Sequence, residues 1–190
     1  MRTFNIARYA FLLSCVSPLL ASPPPPLPDS SLYQLESEWR DDAGKTIHLG
    51  DLRGKPRVLA MFFSHCNNVC PMITGQLIKL EKEMPAALQA KTGFVLVTLD
   101  PSGDDPAALA DYRKRMNLAP DHWTLLRGGV DDTRELANLL GVTYKPKRDD
   151  GQIDHDGLIV LLDADGVVVE KTTGIGDGKK FLDLLKTLAK

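Results

Sequence analysis

Val58-Leu59-Ala60-Met61-Phe62-Phe63-Ser64-His65-Cys66-Asn67-Asn68-Val69-Cys70-Pro71 is the stretch on which both the fold and the chemistry turn. It opens with an unbroken apolar run of strand length, the pattern of a strand buried on both faces. Pro71 suits the first turn of a helix, where a missing N–H costs nothing. Met72, Ile73, Leu77, Leu80 and Met84 then recur at helical spacing. Two cysteines separated by three residues therefore fall between a buried strand and a helix N-terminus. In open α/β sheets, ligands gather at the carboxyl ends of strands. A helix N-terminus favours negative charge and so thiolate over thiol, and the thiolate is both nucleophile and metal ligand.

The alternation continues downstream. Phe94 to Leu99 reads as a second buried strand, and Pro106 to Met116 as a helix opened by Asp104 or Asp105 as cap. Trp123 to Arg127 is a short strand. Asp131 to Leu140 is a helix that stops at Gly141. Leu158 to Leu162, the turn Asp163-Ala164-Asp165-Gly166 and Val167 to Lys171 form a hairpin, and Lys179 to Leu188 a last helix. Upstream, the domain begins near Leu32, and Asp41-Asp42-Ala43-Gly44-Lys45 is a turn between short strands. This order predicts one α/β domain, a mixed central sheet flanked by helices, and matches a thioredoxin-like fold.

The bulk numbers agree with one domain plus an N-terminal extra: 190 residues, 43 % hydrophobic and 25 % charged. A net charge of −2 offers no basic face for nucleic acid. Arg2 and Arg8 precede a short apolar stretch, Tyr9 to Leu20, broken by Ser14, Ser17 and Pro18, with the small residue Ala21 after it. Residues 1–21 thus read as a secretory signal or a retained membrane anchor. Leu12-Leu13-Ser14-Cys15 is a weak lipobox, so lipidation at Cys15 is a further route to a tether. Removing 1–21 takes Arg2 and Arg8 and no acid, which moves the charge to −4. Residues 22–31, with Pro23 to Pro26 and Pro28, read as a stiff linker, leaving 32–190 as the domain. The expected place is the periplasm, or a membrane anchorage facing the extracytoplasmic side.

Of three cysteines, Cys15 lies in the signal, so the exported protein has only Cys66 and Cys70. In an oxidising compartment such a pair is a local disulfide, a metal clip, or both in turn. If the loop is helical, the two Cα atoms lie about 6 Å apart on one face, within reach of a disulfide or of one shared metal. Soft thiolates select Cu(I) or zinc, and two of them leave room for a further ligand, for which imidazole is usual. His155, in Asp154-His155-Asp156-Gly157 before a strand, is the best candidate. His65 precedes Cys66 and reads as a modulator, because adjacent side chains point apart in extended chain; His122 reads as surface and His48 as structural. A disulfide closing so small a loop stabilises little, and a closed zinc site lacks four visible ligands. A redox pair acting on exported thiols remains open, although the usual spacing is CxxC and no proline lies directly before Leu158. Asp100, Asp104 and Asp105 follow the second strand at the same sheet edge; Lys145, Lys147 and Arg148 read as a solvated loop face.

Gly54-Lys55-Pro56-Arg57, the apolar strand, Cys66-Asn67-Asn68-Val69-Cys70-Pro71, Val97-Thr98-Leu99-Asp100-Pro101, Gly141-Val142-Thr143-Tyr144-Lys145, Asp154-His155 and Leu161-Leu162-Asp163-Ala164-Asp165-Gly166 follow one another in order. Over residues 32 to 190 this resembles the Sco (SenC/PrrC) family of thioredoxin-fold copper chaperones. The resemblance implies a copper ion held by Cys66, Cys70 and His155. It also implies delivery of copper to a respiratory oxidase subunit, or upkeep of that site's thiols. The family motif commonly carries proline after the first cysteine and aspartate before the second; here Asn67 and Asn68 stand there, which removes a negative charge beside the sulfurs.

Overall fold

The computed structural model describes residues 25–190 apart from Asn68, Pro146 and Asp177; the signal or anchor and Cys15 lie outside the described residues. The elements are β1 (Glu38–Asp41), β2 (Thr46–His48), β3 (Arg57–Phe62), α1 (Val69–Glu83), α2 (Ala86–Ala90), β4 (Gly93–Thr98), α3 (Pro106–Met116), β5 (Trp123–Arg127), α4 (Val130–Leu140), β6 (Ile159–Leu162), β7 (Val168–Thr172) and α5 (Lys179–Leu188). They build a seven-stranded sheet in the order β2-β1-β5-β4-β3-β6-β7. β3, β4 and β5 are parallel neighbours joined through helices, while β1, β2, β6 and β7 pair antiparallel at the edges. Every residue of β3 and β4 is buried, as their unbroken apolar runs require of strands covered on both faces.

Local chemistry explains the boundaries. The β1–β2 turn closes because Asp41 Oδ1 accepts from the backbone N–H groups of Ala43 and Lys45. Asp105 caps α3 by accepting from Ala108 N, and Gly141 ends α4 at φ 77°. α1 begins at Val69, with Pro71 in its first turn as expected, and Cys70 sits in that turn too. α2 was not expected; five residues are too few to show a helical period.

The two ends of β3 have different neighbours. Near its start, Arg53 Nη1 donates to the carbonyl of Pro25 at 2.7 Å. Ser31 Oγ bonds the carbonyl of Asp165, and Leu27 of the proline-rich stretch packs against the core. Beyond its far end, about 20 Å away at the usual rise per residue, come the cysteines.

Candidate metal centre

After β3, Phe63 to Cys66 form a tight turn in which Cys66 N–H donates to the Phe63 carbonyl at 3.2 Å. Both thiols are free; Cys66 is 8 % exposed and Cys70 fully buried. Cys70 N–H, at the start of α1, donates to Cys66 Sγ at 3.4 Å. The Cys66 sulfur thus accepts from the backbone at the start of α1. For Cys70 the expectation of a favoured thiolate is overturned: burial pushes its thiol up, and the hydrogen bond with Cys66 adds to that.

His155 reaches this pair from the loop before β6. Its backbone bridges Tyr144, and Lys145 N–H donates to the Asp154 carbonyl at 2.9 Å. Gly157 lets the loop lie on α1: at φ +60°, a Cβ there would stand 2.8 Å from Ile73 Cδ1 and 3.1 Å from Val69 Cγ1. The result puts His155 Nε2 at 3.3 Å from Cys70 Sγ, with Nδ1 accepting from Gly157 N–H at 3.3 Å. Burial lowers the imidazole pKa, against an opposing pull from Asp156, and so favours the neutral ring that a metal ligand must be.

The donor set fits a soft metal. Thiolate and imidazole bonds of about 2.3 and 2.0 Å span the separation between Cys70 and His155. Yet among the described residues no three histidine, cysteine, aspartate or glutamate side chains already close round one point. Cys70 touches His155 on one side and Cys66 on the other, and the Cys66 sulfur also accepts from Cys70 N–H. A cavity of about 460 Å³ adjoins the pair, lined by Cys66, Asn67, Arg148, Gln152, Asp154 and His155.

The remaining candidates separate. His65 is 69 % exposed; it lies in a turn, not extended chain, with Nδ1 at 2.9 Å from Ser64 Oγ. His122 is no free surface residue, because its Nδ1 lies 2.7 Å from Glu81 Oε1 in a half-buried pair. His48 is exposed at the end of β2. Asp105 is the cap; Asp104 is not, and sits fully buried beneath the cysteine turn. It accepts from Ser64 N at 2.8 Å, Ser64 Oγ at 2.6 Å and Thr98 Oγ1 at 2.5 Å. Arg115 Nη2 holds the Ser64 carbonyl at 2.6 Å. The basic loop is paired rather than simply solvated: Lys147 with buried Asp100, Arg148 with Asp150 and Asp154. Ser64 and Arg115 carried no sequence signal, since a contact spanning 40 residues leaves no local period.

The SCO1/SenC family model matches residues 30–190. A SCO1/SenC family lipoprotein from Bacillus anthracis superposes with a TM-score of 0.73 at 28 % identity, covering 83 % of this chain and 96 % of that one. ScoI of Bradyrhizobium japonicum with copper bound gives 0.65 at 24 % identity, over 80 % and 96 % of the two chains. BsSco, described as having a disulfide switch and belonging to the Sco family of cytochrome c oxidase assembly proteins, gives 0.69 at 22 % identity, over 83 % and 94 %. The last two likenesses establish the fold. No helix among the described residues is long and apolar enough to cross a membrane.

Proposed function

The chain belongs to the SCO1/SenC family, and from that premise we propose that it binds one copper ion outside the cytoplasm through Cys66, Cys70 and His155. It would then pass that copper to a subunit of a respiratory oxidase or keep that subunit's copper-site thiols reduced. The observation that carries the reading is the 3.3 Å contact between Cys70 Sγ and His155 Nε2, made by elements 85 residues apart. Copper in ScoI and oxidase assembly in the BsSco family description point to the same cargo and destination. In this chain, Cys70 and His155 supply a water-poor half of the site. Cys66, which lines the adjoining cavity, would supply the other thiolate. Each thiol gives its proton to solvent as it binds. A tether through the N-terminal segment would match the lipoprotein relative.

Copper titration of the reduced protein tests this. One equivalent should bind tightly, and Cys66→Ser, Cys70→Ser and His155→Ala should each abolish tight binding. Full affinity in His155→Ala would overturn the three-donor site. The second reading is a thiol–disulfide oxidoreductase acting on exported thiols, favoured by the Cys70 N–H contact on Cys66 Sγ and the disulfide switch named for BsSco. Insulin reduction separates the two: turnover without copper binding selects the second.

A further inference from the structure

We propose that His65 is a loading ligand: an imidazole held outside the thiol pair that takes copper from the donor first and hands it to Cys66, and that meets it again on departure. The proposal rests on the copper reading and names how the cargo reaches that site.

The three inner donors are poorly placed to meet a metal arriving from solvent. Cys70 is fully buried and Cys66 nearly so. The Gly157 N–H occupies the Nδ1 lone pair of His155. In the neutral ring the proton then sits on Nε2 and faces Cys70 Sγ. Before His155 can bind through Nε2, that proton has to move.

His65 has the opposite arrangement. It adjoins Cys66 in the same turn, and its side chain is 69 % exposed. Asp104, as a carboxylate, only accepts. Its Oδ2 takes Ser64 N–H and the Thr98 hydroxyl, and its Oδ1 takes the Ser64 hydroxyl at 2.6 Å. Ser64 has a single hydroxyl proton, so toward His65 Nδ1, at 2.9 Å, it offers a lone pair. His65 therefore donates Nδ1–H, and in the neutral ring the lone pair is then on Nε2, on a side chain 69 % exposed. Metal-binding histidines are commonly oriented in this way, through a partner on the other ring nitrogen that fixes the tautomer. Here the partner is a serine, itself held by a buried carboxylate and by Arg115 on its carbonyl. Ser64 and Asp104 are thus positioning residues for an imidazole ready to bind.

The transfer is ligand exchange. The copper–Nε2 bond breaks as the copper–Sγ bond to Cys66 forms, the thiol proton leaves to water, and copper keeps its oxidation state.

The test uses the full chain carrying Cys15→Ser, reduced and anaerobic, with Cu(I) offered as its bicinchoninate complex in stopped flow. His65→Ala should load severalfold more slowly and reach the same final affinity. His48→Ala, another exposed histidine, should load like the parent. Ser64→Ala keeps the imidazole but frees its tautomer, so it should slow loading in part. Two-bond proton–nitrogen NMR of the metal-free protein should show the Nδ1–H tautomer at His65 in the parent and a mixture in Ser64→Ala. Equal loading rates for parent and His65→Ala, or an Nε2–H tautomer at His65 in the parent, would overturn the proposal while leaving the copper site standing. A parent that binds no copper would overturn both.

Discussion

His155 and Cys70 are set by burial in opposite directions, and this fixes how the metal-free protein responds to pH. Burial lowers the His155 pKa, so the unfolded chain takes up a proton near pH 6.5 before the folded one does. Its contribution is complete above about pH 6.5 and is lost as pH falls toward the lower folded value. Burial raises the Cys70 thiol above its ordinary value of 9.0 and Tyr33 from 10.0 to about 12. Those contributions are complete below the ordinary values and are lost as pH climbs past them. Urea midpoints of the reduced, chelator-treated protein should be level between about pH 7 and about pH 9 and fall on both sides. A midpoint still rising below pH 6 contradicts this account. Cys66, Cys70 and His155 could be singled out in the sequence because thiol and imidazole chemistry is written in residue type. Ser64 could not, since its part comes only from what it touches.

The two neighbouring acids at the start of α3 separate local from long-range order. Asp105 caps the helix, and Asp105→Ala should cost about 1 kcal/mol. Asp104→Ala leaves Ser64 N–H and the hydroxyls of Ser64 and Thr98 without their acceptor in the interior, which should cost about 3 kcal/mol or more. Equal losses in urea denaturation would show that the buried Asp104 carboxylate stabilises no more than a helix cap does. The loop before β6 gives a second case. Gly157→Ala places a methyl against Ile73 and Val69 at a left-handed backbone position. It should lower copper affinity by moving His155 from Cys70, with secondary structure by circular dichroism unchanged. Strand and helix order were readable because apolar runs and helical periods are local. The short α2 and the bridge from Tyr144 to His155 were not, because loop contacts and packing decide them.

The whole domain follows from central strands apolar on both faces, which demand helices on either side and parallel neighbours between them. That demand is visible in Val58 to Phe63 and Phe94 to Leu99 before any contact is known. The sequence did not reveal which pole the N-terminal segment meets; it meets the start of β3, through Pro25 and Arg53. A fluorescent domain fused ahead of residue 1 should therefore leave copper affinity unchanged. An insertion of the same size between Asp150 and Gln152, which border the cysteine cavity, should abolish it. Loss of affinity in the N-terminal fusion would contradict the separation of the poles.

β3 thus works as a spacer bar between the segment at Pro25 and the two cysteines. Anything that grips the chain before Pro25 takes hold at one end of the bar, and the cysteines ride at the other.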